Sequence, residues 1–169
     1  MVAASKRTVV VAESGEGPYG QSVTIGPHEM RADEAESLGG RDAGPSPYEY
    51  VMAGLGACTV MTLRMYASRH GWLLERATVE VCHVKVAYEN GATPTDRFQR
   101  IVGLTGNLTD EQRAILIEIA NRCPVSQTLR RASSIVTSLA DLPKKSSARS
   151  VAYLILSIGS LPTLWLLAG

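Results

Sequence analysis

Cys58, Cys82 and Cys123 are the residues of this chain whose type most directly promises chemistry. Three cysteines at such uneven spacing make neither a disulfide scaffold nor a four-ligand zinc site, which leaves redox or nucleophilic work by one thiol or a pair. Cys58 lies in MAGLGACTVM, beside Gly54, Gly56 and Ala57, and Cys123 lies in NRCPVSQ. A free cysteine also packs well as a small buried hydrophobe, so a core role competes with a chemical one at each position. Three features favour chemistry. Small residues before Cys58 leave room for another backbone to approach the thiol, and two glycines inside a helix cost about 1 kcal/mol each, which a close contact must offset. Pro124 cannot donate to the carbonyl of Ala120, so the helix opens beside Cys123. Both cysteines also fall on apolar helical segments that must share one core, which points to a facing thiol pair. Cys82 reads as structural: its neighbour His83 points to the other face of a strand, so the two make no catalytic pair. His28, His70 and His83 are scattered, and no phosphate-binding glycine loop or Ser-His-Asp set stands out, so neither a metal nor a cofactor is expected.

The elements that must position these thiols follow from periodicity. Residues 7–13 and 21–26 are β-branched runs separated by the turn-rich SGEGPYG, a hairpin pattern, and His28 to Ala32 is a further extended piece. An acidic turn holding Asp33, Glu34 and Glu36 reads as a solvated loop. A helix is expected from about Tyr48 to His70, with Ser46 as N-cap, Pro47 at the first helical position and Gly71 after the last turn. Val51, Leu55, Cys58, Thr62, Met65 and Tyr66 recur on it at spacings of three and four, and much of the rest is apolar too, so the helix should be central and buried. Residues 77–88 alternate as a long strand with one half-buried side, and 97–105 continue the sheet. Thr109 and Gln112 have capping-box spacing ahead of a second helix that Pro124 interrupts, with Ser126 to Leu129 as its continuation. Residues 134–140 form a last β-branched run. About six strands and two helices give an α+β domain, with the helices segregated on a sheet.

Composition narrows the partners. The chain has 169 residues, 45% of them apolar, with 17 Lys+Arg against 16 Asp+Glu. A formal charge of +1 gives no electrostatic reason to expect nucleic acid. The apolar run after Thr8 is too short for a secretory signal, so a cytoplasmic protein is expected, where cysteines that matter are catalytic or redox-active rather than structural. The domain is assigned to residues 1–143. Residues 144–169 hold Lys144, Lys145 and Arg149, then an uncharged run over 151–169 that is just long enough to span a bilayer but is broken by Gly159, Ser160 and Pro162. Without that tail the balance is 14 Lys+Arg against 16 Asp+Glu, a mildly acidic domain. A membrane or interfacial segment, a helix packed on the domain and an appendage without a role remain the readings of the tail.

The block GGRDAGPSPYEYVMAGLGACTVMTLRMYASRHGW, followed by LTDEQRAILIEIANRCPVSQTL, resembles the OsmC/Ohr family of thiol peroxidases, over roughly Thr8 to Leu142. The resemblance implies an intertwined homodimer in which two long central helices are wrapped by the sheets of both subunits. It also implies reduction of organic hydroperoxides, a role in oxidative stress defence, Cys58 as peroxidatic thiol and Cys123 as resolving thiol, with an external dithiol as reductant. In the family that the block resembles, members with established peroxidase activity carry a glutamate directly after the proline of the helix start. Here Tyr48 stands there and Glu49 follows, turned by about 100° on the helix. The family's hairpin arginine has no match in GEGPYG, and GPSPYE with LGACT is closer to the OsmC-like branch.

Only a thiolate attacks peroxide, and a thiol among apolar groups ionises less readily unless a cation or hydrogen-bond donors stabilise the anion. Cys58 is about three turns inside its helix, beyond the reach of the helix dipole, so a cation must come from elsewhere. Arg31 or Arg41, from the same or the partner subunit, is the expected cation, with Glu49 orienting it. Met52, Leu55 and Met61 around the thiol would favour alkyl or lipid hydroperoxides. The alternative is a catalytically weak dimeric binding or structural module, placed at a membrane by its tail.

Overall fold

The computed structural model describes residues 8–87, 94–131 and 133–139. The chain divides into two units, Met1–Ser133 and Ser134–Gly169. In the first, β1 (Val9–Glu13), β2 (Gln21–Ile25) and β3 (His28–Ala32) form an antiparallel meander in which Val11 faces Val23 and Val23 faces Met30. A short 3-10 turn over Glu36–Leu38 leads to α1 (Pro47–Arg69), β4 (Leu73–Val86), β5 (Thr95–Asn107), α2 (Asp110–Ala120) and α3 (Pro124–Arg130). β4 and β5 pair as a long antiparallel hairpin, from Leu73 opposite Asn107 to Val86 opposite Thr95. The α+β class is therefore as expected, with two antiparallel sheets. Among the described residues the count is five strands and three α-helices, rather than six and two.

The helix signals act as read. Ser46 is the N-cap of α1, Pro47 occupies its first position, and Gly71 takes φ +66° just beyond His70, the C-cap. Thr109 Oγ1 accepts from the Gln112 N–H at 3.2 Å while Gln112 Oε1 accepts from the Thr109 N–H at 3.0 Å, the reciprocal box that starts α2. Gly106 permits a bulge in the long hairpin: its φ is +129°, and a Cβ there would lie 2.1 Å from the Leu73 carbonyl oxygen.

Two expectations are corrected. α1 is not buried on most sides within one chain; its buried positions are the i, i+4 stripe Leu55, Thr59, Leu63 and Ala67. Val51, Met61 and Met65 are exposed, because the hairpin, α2 and α3 cover only one side of the helix. The run at 134–140 does not form a strand over its described residues 134–139, where Ile135, Val136 and Leu139 are almost wholly exposed. β-propensity reflects packing and pairing, and among the described residues no strand pairs with this one. Ala140 and the tail 144–169 lie outside the described residues. Among the described residues no helix is long and apolar enough to cross a membrane.

The core lies between α1, α2 and the hairpin: Leu63, Ala67, Leu74, Leu108, Leu116, Ile119 and Ala120, with Tyr66, Trp72, Val102 and Ile115 packed around them. At the other end of α1, Tyr48 stacks on His83 of β4 with ring centroids 4.3 Å apart. His83 also stacks on Phe98, at 4.8 Å, and bonds Asp96 at 2.8 Å. These contacts fix α1 against the hairpin at both ends and set its middle turns over Arg100.

Candidate active site

Cys58 projects from the middle of α1, half-buried, and Cys123 is wholly buried at the start of α3. The expected break at Pro124 is real, but it begins a separate helix instead of interrupting α2. Cys123 is the N-cap of α3, Pro124 its first residue, and Cys123 Sγ accepts the Ser126 N–H at 3.3 Å. A thiol here performs the task that serine or aspartate performs at other helix starts. Both thiols are free, and Cys58 is among the groups that favour the Cys123 thiolate.

The residues around Cys123 set its ionisation. Thr59, the residue after Cys58, is fully buried, and its hydroxyl lies 3.5 Å from Cys123 Sγ. Arg100 reaches in from β5: Nη1 donates to Thr59 Oγ1 at 2.8 Å and to the Ala120 carbonyl at 2.9 Å, and approaches Cys123 Sγ at 3.9 Å. Its Nη2 donates to Asn121 Oδ1 at 3.1 Å and to Ser126 Oγ at 3.5 Å. Burial pushes the Cys123 thiol up. Hydrogen bonds from Thr59, the Ser126 N–H and Cys58, together with the Arg100 charge, outweigh burial and hold it below its ordinary value.

The other expected site residues sit elsewhere in the chain. Arg31 Nη1 is 2.6 Å from Glu16 Oε2, and both side chains are more than half exposed. The Arg41 N–H donates to Asp33 Oδ2 at 3.0 Å, and its side chain lies against Gly17. Glu49 Oε2 accepts the Ser46 N–H at 2.7 Å, so this carboxylate caps α1, and that backbone bond with the Ser46 hydroxyl holds it below the usual carboxylate range. Tyr48, which stands where the resemblance would place a glutamate, faces His83. The small residues before Cys58 are not explained by a close backbone approach within one chain. A Cβ on Gly56 would make an ordinary 3.5 Å contact with Val81, and one on Gly54 would meet nothing within 4 Å.

Arg100 and Thr59 were not among the sequence candidates. The signal existed: Phe98, Arg100, Val102 and Leu104 share the inward face of β5, where a charged residue needs a specific partner. Arg100 also borders a cleft of about 370 Å³ lined by Leu55, Arg97, Phe98, Ser126, Leu129 and Arg130, among others. Of the apolar residues expected around the thiol, Leu55 lines this cleft, Met52 lines a separate groove against β4, and Met61 is exposed.

A long helix against a two-stranded hairpin, with one cysteine on that helix and a second buried at the start of a short one, defines a small α+β thiol protein. The chain belongs to the OsmC-like protein family, whose model matches residues 39–138. The same fold is found in an organic hydroperoxide resistance protein OsmC from Legionella pneumophila, at 20% identity and TM-score 0.59, covering 76% of this chain and 91% of that one. It is also found in an organic hydroperoxide resistance protein from Elizabethkingia anophelis, at 23% identity and TM-score 0.60, covering 77% and 91%. An OsmC-like protein from Mycoplasma pneumoniae matches at 16% identity and TM-score 0.60, covering 77% and 89%. No curated protein matches the chain.

Proposed function

We propose that this protein is a thiol peroxidase that reduces organic hydroperoxides in oxidative stress defence, working as a homodimer. The observation that carries the reading is a wholly buried Cys123 among groups that stabilise an anion, with the half-buried Cys58 one of those groups. The hydroperoxide resistance assigned to the Legionella and Elizabethkingia proteins that share the fold agrees with it.

Cys58, the more accessible thiol, attacks a peroxide oxygen as its thiolate. The O–O bond breaks, the alkoxide leaves and takes up a proton, and Cys58 becomes a sulfenic acid. Cys123 attacks that sulfur, forming the disulfide and expelling hydroxide. An external dithiol then reduces the disulfide by exchange, so the two electrons given to the peroxide come finally from that dithiol. The homodimer is supported by apolar surface that one chain leaves open: Val9, Val10 and Val11 on β1, and Val51, Met61 and Met65 on α1. A partner subunit packed on α1 would also give Gly54 the neighbour that it lacks.

A second reading, a dimeric module with weak catalysis, draws on one observation. Within the chain Arg31 is paired with Glu16 and Glu49 caps a helix, so neither serves Cys58. Turnover of cumene hydroperoxide with dithiothreitol separates the two. The peroxidase reading expects activity that Cys58→Ser abolishes, that Cys82→Ser leaves intact, and that Cys123→Ser converts to accumulation of sulfenic acid. Equal turnover by Cys58→Ser, or an inert wild-type protein, would overturn it.

A further inference from the structure

We propose that Arg100, acting with Thr59, is a positioning residue that keeps the Cys123 sulfur ionised and poised to attack Cys58 once Cys58 is oxidised. The inference rests on the peroxidase reading for its place in the cycle, while the ionisation itself stands on geometry.

The first argument is charge. Arg100 is half-buried, and its hydrogen-bond partners are a hydroxyl, a carbonyl, an amide oxygen, a second hydroxyl and the Cys123 sulfur. Among the described residues no carboxylate makes an ion pair with it. Of those partners only the sulfur can become an anion in the neutral range, and a guanidinium removed from water favours that change. The groups facing the sulfur from each neighbouring element are of one kind: Cys58 and Thr59 from α1, Arg100 from β5, and Ser126 from α3. Asn121, between Arg100 and Arg130, is neutral and accepts from both. Asp96 borders the same cleft as Arg100 but pairs with His83, and among the described residues no carboxylate bonds Arg100 or the sulfur.

The second argument concerns one proton. The Thr59 hydroxyl has two takers, the Leu55 carbonyl at 2.7 Å and Cys123 Sγ at 3.5 Å. With Cys123 as a thiol, Thr59 gives its proton to Leu55 and its oxygen accepts from both Arg100 and the thiol. With Cys123 as a thiolate, the hydroxyl turns to the sulfur while the oxygen keeps the Arg100 bond, so every group remains satisfied. Arg100 thus fixes the oxygen in place and leaves its hydrogen free to follow the charge.

As a thiolate, Cys123 serves as the base that takes the Cys58 proton when Cys58 attacks the hydroperoxide. The proton passes on to the leaving alkoxide, giving the alcohol. Cys123, again a thiolate, closes the disulfide with loss of hydroxide from the sulfenic acid. The peroxide gains two electrons and the two sulfurs lose them.

The test uses the full chain with Cys58→Ser and Cys82→Ser, so that Cys123 is the sole thiol, titrated by thiolate absorbance at about 240 nm. The midpoint should lie below that of a free cysteine, about 8.5. Arg100→Met should raise it by one unit or more, a tenfold change in proton affinity, and Arg100→Lys should recover part of the shift. Should Arg100→Met fail to fold by circular dichroism, Thr59→Val takes its place and should raise the midpoint as well. An unmoved midpoint in a folded Arg100→Met or Thr59→Val background would overturn the assignment. In a single turnover with cumene hydroperoxide, Arg100→Met on the native thiols should slow disulfide closure at least tenfold and accumulate dimedone-trapped sulfenic acid. Closure at the wild-type rate would also overturn it. A shifted midpoint in a protein that consumes no hydroperoxide would sink the peroxidase reading alone and leave this assignment standing.

Discussion

Arg100 on β5 and Thr59 on α1 meet at 2.8 Å, and through this one bond a strand charge and a buried helix hydroxyl are both brought to the sulfur of Cys123. The same guanidinium ties β5 to the end of α2 through the Ala120 carbonyl and to the following turn through Asn121. Arg100 therefore also ties elements together, and replacing it takes a donor from the buried Thr59, Ala120 and Ser126. Arg100→Met should cost about 1–3 kcal/mol in urea denaturation, with Arg100→Lys costing less. Equal stability of Arg100→Met and wild type would mean that solvent replaces these bonds freely.

The loop between β3 and α1 depends on Asp33. Its carboxylate accepts from the backbone N–H groups of Glu34, Arg41 and Ala43, at 2.8, 3.0 and 3.2 Å. Burial alone would push this group up, but those three bonds and the Arg41 charge hold it below its ordinary 3.8. A depressed carboxyl contributes stability above its unfolded value and loses it as pH falls through the folded one. The difference in melting temperature between wild type and Asp33→Asn should therefore be full above about pH 5 and narrow progressively below pH 4. A difference that stays constant down to pH 2 would contradict it.

Exposed Met61 and Met65 on α1 make the assembly testable. A double substitution to lysine puts two charges on the face that the proposed partner covers, and charges buried without partners are expensive. Wild type should sediment as a dimer and Met61→Lys/Met65→Lys as a folded monomer with unchanged far-ultraviolet circular dichroism. A monomeric wild type would show that this face has another use.

Much of the fold was legible because its signals are local. Ser46, Pro47 and Gly71 delimit α1, Thr109 and Gln112 start α2, and β3 was read at its observed bounds, His28–Ala32. The helix break beside Cys123 was legible too, from Pro124, which begins α3. What escaped depends on contacts distant in the chain. Arg100 and Thr59 are separated by 41 positions and meet only because α1 lies across the hairpin. Glu49 was read as an electrostatic partner for an arginine, whereas the nearer demand of the unpaired Ser46 N–H claims it as a cap. The run at 134–140 has strand composition but is not a strand over its described residues 134–139, and composition alone does not make a ladder.

The central claim is a peroxide-driven disulfide between Cys58 and Cys123, and peptide mapping after one equivalent of cumene hydroperoxide tests it most directly. Mass spectrometry of the non-reduced digest should show the Cys58 and Cys123 peptides joined with loss of two hydrogens, Cys82 remaining a free thiol, and the link removed by dithiothreitol. Two unmodified thiols at Cys58 and Cys123, or oxidation confined to exposed Cys82, would contradict it.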